Sequence, residues 1–436
     1  MSSSTSIRPA STGVRGTITL PGDKSISHRA VMFAALAQGE SHILNCSGGG
    51  DNRSTIKAFQ TLGVDITQAG TEVHVKGRGW GGLQAPPQTI DCGNSGTTMR
   101  LLSGLLAARP FLSRLDGDES LRSRPMGRVI FPLAEMGADI VSEGGSNRAP
   151  LRINGKTLHG ITYRSPVASA QVKSALVLAG LQAQGTTTVW EPVRSRDHTE
   201  RMLPSFGVHL VVKETEVSIA GGQELHACDV EVPGDLSSAA FFIGAALVIP
   251  GSELHVRDVG LNPTRTGVLD VLQAMGSTLT IQNLREVCGE PVGDLLVRPS
   301  MLHGIEIDGE VVVRAIDEVP IIAVVAAFAR GTTIIRGAQE LRVKESDRLH
   351  ALAVTLQALG GQITELPDGL IIEGGHELHG GHVDSFGDHR IAMALSIAGL
   401  AGTGEIVIEG EESVAISFPS FYGLVRNLTG PTTVHA

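Results

Sequence analysis

Residues 169–189 read SAQVKSALVLAGLQAQGTTTV, an apolar run rich in Ala and Leu that leads through Gly185 into β-branched residues. A polar start, an apolar helix, a glycine stop and a strand of Thr and Val are the signals of one helix–strand step. Six such apolar runs begin at residues 27, 96, 169, 236, 318 and 388, between 67 and 82 residues apart. This regular recurrence predicts a protein built from six similar units.

A second marker keeps the same period. After each of the first five apolar runs comes a more amphipathic segment that ends on a glycine before another strand, at Gly63, Gly137, Gly207, Gly276 and Gly360. Residues 419–427 supply the sixth amphipathic helix, so each unit reads βαβαββ. Because the apolar helices are apolar on all sides, we expect them to be buried, with sheets outside them.

Length and composition narrow the class of protein. A chain of 436 residues exceeds what one core usually holds, and six units divide into two groups of three, so we expect two domains. A net charge of −10 argues against nucleic acid and anionic membranes as partners. The four cysteines form no CxxC pair, and the sequence shows neither a transit peptide nor an apolar run of membrane-spanning length. These features predict a cytoplasmic protein without structural zinc.

Cations gather at the starts of the apolar helices, where Lys24, Arg29, Arg100 and Arg390 lie. The helix dipole disfavours a cation there by about 0.3–1 kcal/mol unless an anion is bound nearby. The free N–H groups of a helix start also receive anions. Ordinary capping accounts for other polar residues at these places, namely Asn94, Ser95, Ser169 and Asp388. The pattern therefore predicts a binding site for negatively charged small molecules.

Three short patterns have plainer interpretations than a cofactor site. Residues 77–82 fit GxGxxG, but two prolines rather than a helix follow, which favours a turn. Asp23 stands where a phosphate-binding loop of the GKS type requires glycine. For His376, His379 and His382, which lie in a glycine-rich stretch, we expect an exposed hairpin rather than a metal site. No metal and no cofactor are expected.

Five motifs follow one another along the chain: LPGDKSISHR at 20–29, GNSGT at 93–97, RSRPM at 122–126, RVKESDR at 342–348 and DHRIAM at 388–393. Together they closely resemble the signatures of the 5-enolpyruvylshikimate-3-phosphate synthase family, and the likeness runs from about residue 14 to residue 427. The resemblance implies an α/β (α+β) fold of two similar domains, each of three βαβαββ units with buried helices and outer sheets. It implies that residues 1–20 and 234–436 form one domain, that 21–233 form the other, and that the active site lies in the cleft between them.

The family's reaction transfers the enolpyruvyl group of phosphoenolpyruvate to the 5-hydroxyl of shikimate 3-phosphate through a tetrahedral intermediate and releases phosphate, in the biosynthesis of chorismate and aromatic amino acids. Such chemistry needs a base, an acid and fixed positive charge. The resemblance implies that Asp317 accepts a proton and that Lys24 and Glu345 take part in proton transfer. For shikimate 3-phosphate it implies contacts from Lys24, Ser25, Arg29, Ser169, Ala170, Gln171, Ser195, Asp317 and Lys344. For phosphoenolpyruvate it implies contacts from Lys24, Gly96, Arg124, Gln171, Arg348 and Arg390.

Local alternatives stay open for the two carboxylates: Asp317 fits a helix cap, and Glu345 fits an i,i+3 partner of Arg348 on one helix face. Arg100 and His389 fit supporting hydrogen bonds as well as direct contacts.

Two positions depart from the family pattern, because Ile416 stands where many members have Lys and Glu340 stands where Asn is common. Neither contact is carried over. The family is the target of glyphosate, which occupies the phosphoenolpyruvate side, and the unsubstituted Gly96 predicts sensitivity.

Two other functions remain as alternatives: the sister transferase that acts on UDP-N-acetylglucosamine, and a non-catalytic relative that only binds polyanions. A monomer is expected.

Overall fold

The computed structural model describes residues 3–430 and 433–435. In chain order its helices are α1 Lys24–Leu36, α2 Gly50–Thr61, α3 Gly96–Leu106, α4 Glu119–Ser123, α5 Gly127–Glu135, α6 Ala170–Gly180, α7 His198–Met202, α8 Leu236–Val248, α9 Gly267–Ala274, α10 Gly309–Arg314, α11 Val319–Phe328, α12 Arg348–Ala358, α13 His389–Ala401 and α14 Phe421–Thr429. Short 3₁₀ helices occupy Trp80–Gly82, Leu203–Phe206, Gln339–Val343 and Glu411–Ile416.

The strands up to the end of α7 are β1 Ser4–Ile7, β2 Arg15–Thr19, β3 Ala37–Leu44, β4 Asp65–Ala69, β5 Glu72–Arg78, β6 Ile90–Asp91, β7 Leu112–Asp116, β8 Asp139–Ser142, β9 Leu151–Asn154, β10 Thr162–Arg164 and β11 Thr186–Trp190. Those that follow are β12 Leu210–Lys213, β13 Glu216–Ala220, β14 Leu225–His226, β15 Val230–Glu231, β16 Glu253–Gly260, β17 Thr280–Val287, β18 Glu290–Val297, β19 Glu306–Ile307, β20 Gly331–Ile335, β21 Gln362–Leu366, β22 Gly369–Gly374, β23 Gly381–Asp384, β24 Ile406–Glu409 and β25 Val434–His435.

The chain folds into two compact units. The middle unit consists of Gly22–Val232 and Val287–Glu290, and the terminal unit consists of Met1–Pro21, Pro233–Glu286 and Pro291–Ala436. The predicted division differs by one residue at each crossover and lacks the turn Val287–Glu290. This turn joins β17 to β18, and its Glu290 bonds the buried His198 of α7. Such a long-range pairing leaves no trace in local sequence.

Within the described residues, six sheets correspond to the six predicted units. Those of the middle unit run in the strand orders β14-β3-β5-β4 with β15 also on β3, β6-β7-β9-β8 and β10-β11-β13-β12. Those of the terminal unit run β17-β18-β16-β2, β19-β20-β22-β21 and β23-β24-β1-β25. In each sheet the strand after the buried helix pairs in parallel with a leading strand, for example β6 with β7 and β19 with β20. A parallel pair of strands around a helix, followed by an antiparallel hairpin, is the βαβαββ unit that the period predicts.

Two leading strands come from distant parts of the chain. The strand β2 precedes α1 in sequence, yet it pairs with β16 after α8. Conversely, β14 and β15 precede α8, yet they pair with β3 after α1. The sheet of β2 in the terminal unit is therefore completed only after the chain has passed through the middle unit, whereas the sheet of β3 is completed by strands at the far end of the middle unit itself.

Three buried helices form the centre of each unit: α1, α3 and α6 in the middle unit, and α8, α11 and α13 in the terminal unit. Eleven or more consecutive residues of α1, α8 and α13 are buried, as their apolar composition predicts. The helices α3 and α6 approach so closely that a Cβ on Gly104 would lie 2.1 Å from the carbonyl oxygen of Ala175. A glycine is therefore needed at this crossing.

The five glycines that mark the ends of the amphipathic helices all have positive φ, between 81° and 100°. Their left-handed backbone ends each helix, which confirms this part of the repeat. Gly39, the glycine that follows the first apolar run, does not stop α1 but lies within β3, because α1 already ends at Leu36. The expected histidine hairpin is also wrong: β22 and β23, which flank His376 and His379, belong to different sheets. These two side chains and that of His382 are exposed.

Within the described residues, no helix is both long and apolar enough to cross a bilayer. The same part of the chain holds no cluster of three or more His, Cys, Asp and Glu side chains suited to a metal ion.

Candidate functional site

The first set of predicted site residues lies at the starts of α1, α3 and α6 in the middle unit. Side chains join these three starts to one another. The links are Arg29–Ser174 at 2.8 Å, Gln171–Thr97 at 2.9 Å, and the chain His28–Thr55–Thr98 at 2.6 and 2.7 Å. Hydrogen bonds between buried side chains restrict their rotamers, so the three helix starts hold a defined arrangement.

Lys24 is the first residue of α1, whose N-cap Asp23 accepts a hydrogen bond from the Ile26 N–H at 2.8 Å. The Lys24 Nζ lies 3.1 Å from Asp51 Oδ2, and both side chains are mostly buried. Asn52 donates to the carbonyl oxygen of Lys24 at 3.0 Å. The start of α2 therefore partly offsets the cation that the sequence places against the dipole of α1.

Arg29 is buried, and its three hydrogen bonds go to uncharged oxygens. Its Nε donates to Thr199 Oγ1 at 2.7 Å, its Nη2 to Ser174 Oγ at 2.8 Å, and its Nη1 to the carbonyl oxygen of Ser25 at 3.0 Å. Burial lowers the pKa of Arg29 to about 10, although Glu200 and Asp23 act in the opposite direction. The group thus remains a buried cation near neutral pH, which suits a ligand carboxylate.

Two guanidinium groups lie over the start of α3. A Cβ on Gly96 would be 2.9 Å from Arg100 Nη1 and 3.5 Å from Arg124 Nη1. Arg124 donates to both oxygens of Asn94, at 2.6 Å to Oδ1 and 3.3 Å to the carbonyl. Arg100 donates to Gln171 Oε1 at 2.5 Å. Positive charge is therefore concentrated where helix N–H groups also point, which is an arrangement for an anion.

The start of α6 carries Ser169, Ala170 and Gln171. Ser169 is the N-cap, and its Oγ accepts from the Val172 N–H. Its own N–H donates to Glu191 Oε1 at 2.8 Å. Ser195 donates through its Oγ to the same carboxylate at 2.7 Å. The structure thus connects Ser195 to the start of α6 although 26 positions separate it from Ser169 in the sequence.

The second set of predicted residues forms one cluster in the terminal unit. The buried Asp317 Oδ1 lies 3.4 Å from Lys344 Nζ and 3.4 Å from Arg348 Nη1. Arg390 Nη1 donates to the Asp317 carbonyl oxygen at 2.9 Å. Glu345 accepts from Arg348 Nη2 at 2.6 Å. Two cations therefore contact the carboxylate of Asp317 and a third contacts its backbone, two positions before α11.

Arg348 is the centre of this cluster, with an exposed fraction of only 1%. Its Nε donates to Asp388 Oδ2 at 2.7 Å and its Nη2 donates to Oδ1 at 3.2 Å, which is a bidentate contact. Burial acts to lower the pKa of Arg348, but Asp388, Glu345 and Asp317 outweigh it and raise this pKa above its usual value. Burial likewise acts to raise the pKa of Asp388, yet Arg348 outweighs it and the pKa of Asp388 is lowered. Both groups are ionised near neutral pH.

A further buried carboxylate, that of Glu318, contacts Arg390. Glu318 Oε1 lies 3.6 Å from Arg390 Nη1 and 3.7 Å from Arg265 Nη2. Ser237 at the start of α8 donates to Glu318 and accepts from Arg265. The three helix starts of the terminal unit are therefore joined by side chains, as those of the middle unit are.

Three local interpretations from the sequence are wrong. Asn94 does not cap α3: Ser95 does, while Asn94 holds Arg124. Asp317 is not a cap, because Glu318 occupies the N-cap position of α11. Glu345 does bond Arg348, but not on a helix face, since α12 begins only at Arg348.

Sequence reasoning missed the buried carboxylates Glu191, Glu200 and Glu318 that hold the cations in place. One signal was available: Lys173 lies in a helix that was expected to be buried on all sides. A lysine at such a position almost always has a carboxylate partner, although the sequence does not say which one.

Six βαβαββ units in two compact bodies, with cations and anion-binding N–H groups at the starts of the buried helices, define the enolpyruvyl transferase class of folds. The enolpyruvyl transferase NikO from Streptomyces tendae superposes with a TM-score of 0.80, covering 100% of this chain and 99% of its own. Its sequence identity is 18%, so this likeness concerns the fold alone.

Relatives with higher sequence identity show which family of this class the chain belongs to. The sequence profile of EPSP synthase (3-phosphoshikimate 1-carboxyvinyltransferase) matches residues 9–424. A 3-phosphoshikimate 1-carboxyvinyltransferase of Geobacter metallireducens is 54% identical over 97% of this chain and 98% of its own, and one of Brevibacillus brevis is 53% identical over 95% and 98%. The structure of EPSP synthase from Acinetobacter baumannii has a TM-score of 0.89 at 45% identity, covering 99% of both chains. The chain belongs to the EPSP synthase family.

Proposed function

We propose that the protein transfers the enolpyruvyl group of phosphoenolpyruvate to the 5-hydroxyl of shikimate 3-phosphate and releases phosphate, a step of chorismate and aromatic amino acid biosynthesis. Family membership across residues 9–424 supports this reaction. Because all the proposed residues lie on one chain, we propose that the protein acts as a monomer. We also propose that it acts in the cytoplasm.

The observation that carries the proposal is the environment of Asp317. Its buried carboxylate lies 3.4 Å from each of Lys344 and Arg348, and Arg390 bonds its carbonyl oxygen. A carboxylate in this position can take a proton from a hydroxyl, while the neighbouring cations offset the negative charge of two anionic substrates.

In the first half of the reaction, the 5-hydroxyl oxygen of shikimate 3-phosphate forms a bond to carbon 2 of phosphoenolpyruvate. The hydroxyl proton passes to Asp317, and Lys24 or Glu345 gives a proton to carbon 3, so that the double bond becomes single. In the second half, carbon 3 returns a proton and the bond from carbon 2 to the phosphate oxygen breaks. The double bond forms again, and phosphate leaves with the electron pair.

The proposed binding residues of each substrate come from both sets, and Lys24 and Gln171 are proposed for both substrates. For shikimate 3-phosphate we propose Lys24, Ser25, Arg29, Ser169, Ala170, Gln171, Ser195, Asp317 and Lys344. For phosphoenolpyruvate we propose Lys24, Gly96, Arg124, Gln171, Arg348 and Arg390. The buried Arg29 with its uncharged partners suits the carboxylate of the first substrate, and the paired guanidinium groups over α3 suit the second substrate.

A phosphate-release assay on the purified protein tests this function. We expect phosphate to appear only when phosphoenolpyruvate and shikimate 3-phosphate are both present. In a parallel reaction, UDP-N-acetylglucosamine replaces shikimate 3-phosphate, and release there would instead indicate the sister transferase. Heat evolved on binding without any product, measured by calorimetry, would indicate a binding protein and overturn the proposal.

A further inference from the structure

One buried carboxylate joins Ser169 and Ser195, two of the residues proposed for shikimate 3-phosphate. The start of α6, with its free N–H groups, suits the phosphate group of that ligand. Glu191 follows β11 and is 1% exposed. Its Oε1 accepts from the Ser169 N–H at 2.8 Å and from Ser195 Oγ at 2.7 Å. Its Oε2 accepts from the Ser195 N–H at 3.3 Å. This side chain therefore sets the position of residue 195 against the start of α6.

A carboxylate next to a phosphate site would repel the ligand unless its charge were offset. Lys173 does this, because its Nζ lies 2.8 Å from Glu191 Oε2 and 2.8 Å from Glu200 Oε1. Burial acts to lower the pKa of Lys173, but Glu200 and Glu191 outweigh it, and the pKa lies above its usual value. Lys173 thus stays charged and offsets the negative charge of the carboxylates that it contacts.

The same two segments also hold Arg29. Lys173 and Ser174 are neighbours on α6, and Thr199 and Glu200 are neighbours on α7. Ser174 bonds Thr199 at 2.7 Å, one position along from the ion pair between Lys173 and Glu200. Arg29 donates to both hydroxyl groups. One buried network thus fixes the proposed carboxylate and phosphate contacts of the same substrate.

We propose that Glu191 is the positioning residue for the phosphate end of the shikimate 3-phosphate site, and that Lys173 neutralises it there. Glu191 touches no substrate: by holding the Ser169 N–H and residue 195 it fixes the start of α6, where the Ser169 hydroxyl and the N–H groups of Ala170 and Gln171 can donate to a phosphate. Fixed donors bind a phosphate more tightly than mobile ones, since no ordering is needed on binding. This inference rests on the proposed function.

The variant Glu191→Gln tests it, because the amide keeps the size of the side chain but has one acceptor oxygen instead of two and cannot pair with Lys173. We expect the Kd for shikimate 3-phosphate, measured by calorimetry, to rise about tenfold. The Kd for shikimate, which lacks the phosphate, should stay within about twofold, and the turnover number within about threefold. The ratio of the Kd for shikimate to the Kd for shikimate 3-phosphate therefore falls.

Glu191→Asp provides a second measurement. It keeps the charge that pairs with Lys173 but is too short to reach both serines, so the same ratio should fall. Glu290→Gln is the matched control, because Glu290 is equally buried in the middle unit and bonds His198 at 2.8 Å. Its ratio should equal that of the unchanged protein.

Three results would overturn the inference. Tighter binding of shikimate 3-phosphate by Glu191→Gln would mean that Glu191 only adds negative charge. Equal weakening for both ligands would mean a purely structural role, and an unchanged ratio in both Glu191 variants would mean no role. If the unchanged protein releases no phosphate with both substrates, it is the proposed function that fails, so the two failures are distinguishable.

Discussion

Replacing Arg348 by Met should destabilise the terminal unit by about 3–5 kcal/mol, the usual cost of removing one partner from a buried ionic network. Arg348 makes bonds of 2.7 Å to Asp388 and 2.6 Å to Glu345, and each bond to a charged partner contributes about 1.5–3 kcal/mol. Two such bonds account for the whole expected loss. The third carboxylate, Asp317, keeps Lys344 as a partner.

The destabilisation should also depend on pH. In the unchanged protein Arg348 lowers the pKa of Asp388, so the stability from this group is present above the unfolded pKa and is lost only as pH falls through the still lower folded value. Without Arg348, burial would raise the pKa of Asp388 above the unfolded value. The folded variant would then bind more protons than the unfolded chain, and its stability would fall as pH rises. The loss should be larger at pH 8 than at pH 5.

Urea unfolding followed by circular dichroism at both pH values measures this. The control is Arg336→Met, which removes an exposed arginine whose partner Asp368 lies 3.3 Å away in the same unit, and its unfolding midpoint should not move. A loss for Arg348→Met below about 1 kcal/mol, or one equal at pH 5 and pH 8, would refute the reasoning.

Three further predictions concern the candidate site. Asp317→Asn should lower the turnover number by about 10²–10⁴-fold, because it removes the proton acceptor, with the Kd for shikimate 3-phosphate within a few-fold by calorimetry; near-normal turnover would remove Asp317 from the mechanism. Gly96→Ala should raise the KM for phosphoenolpyruvate about tenfold and weaken inhibition by glyphosate, since the new Cβ would lie 2.9 Å from Arg100 Nη1. An unchanged KM would contradict this. His28→Asn should flatten the loss of stability at acid pH, because burial, then Lys24 and Arg29, hold the pKa of His28 well below 6.5. In the unchanged protein the neutral His28 stabilises the fold above the unfolded pKa, and this stability is lost by up to about 1.4 kcal/mol per pH unit as pH falls below 6.5. Equal slopes of unfolding free energy against acid pH in both proteins, measured by urea unfolding, would contradict this prediction.

Much of the fold was predictable because its signals are local. The apolar runs predicted six buried helices, and the glycines that follow the amphipathic helices predicted where those helices end. Both depend on interactions within a few residues, and α6 and Gly207 behave as expected. The exchange of β2 and β14 between sheets was not predictable, because short strands of similar composition carry no information about which of six sheets they join.

The candidate site divides in the same way. Residue types and their place at helix starts were enough to predict anion binding, and the resemblance to the family supplied the expected roles of Asp317, Arg348 and Arg390. Which carboxylate holds which cation was not predictable, as Glu191 and Lys173 show.

The sequence by itself determined the repeat, the buried helices, the positions of the cations and the family, since each of these is recorded in neighbouring residues or in a motif. Only the tertiary structure decided which buried charges are paired, because a charge loses its hydration on burial and must find partners from whatever segment the fold brings near. Arg348 pairs with Asp388, which lies forty positions away in the sequence, and Lys173 pairs with Glu191, which follows the next strand, β11. Tertiary packing determines these partners and therefore the geometry of the site.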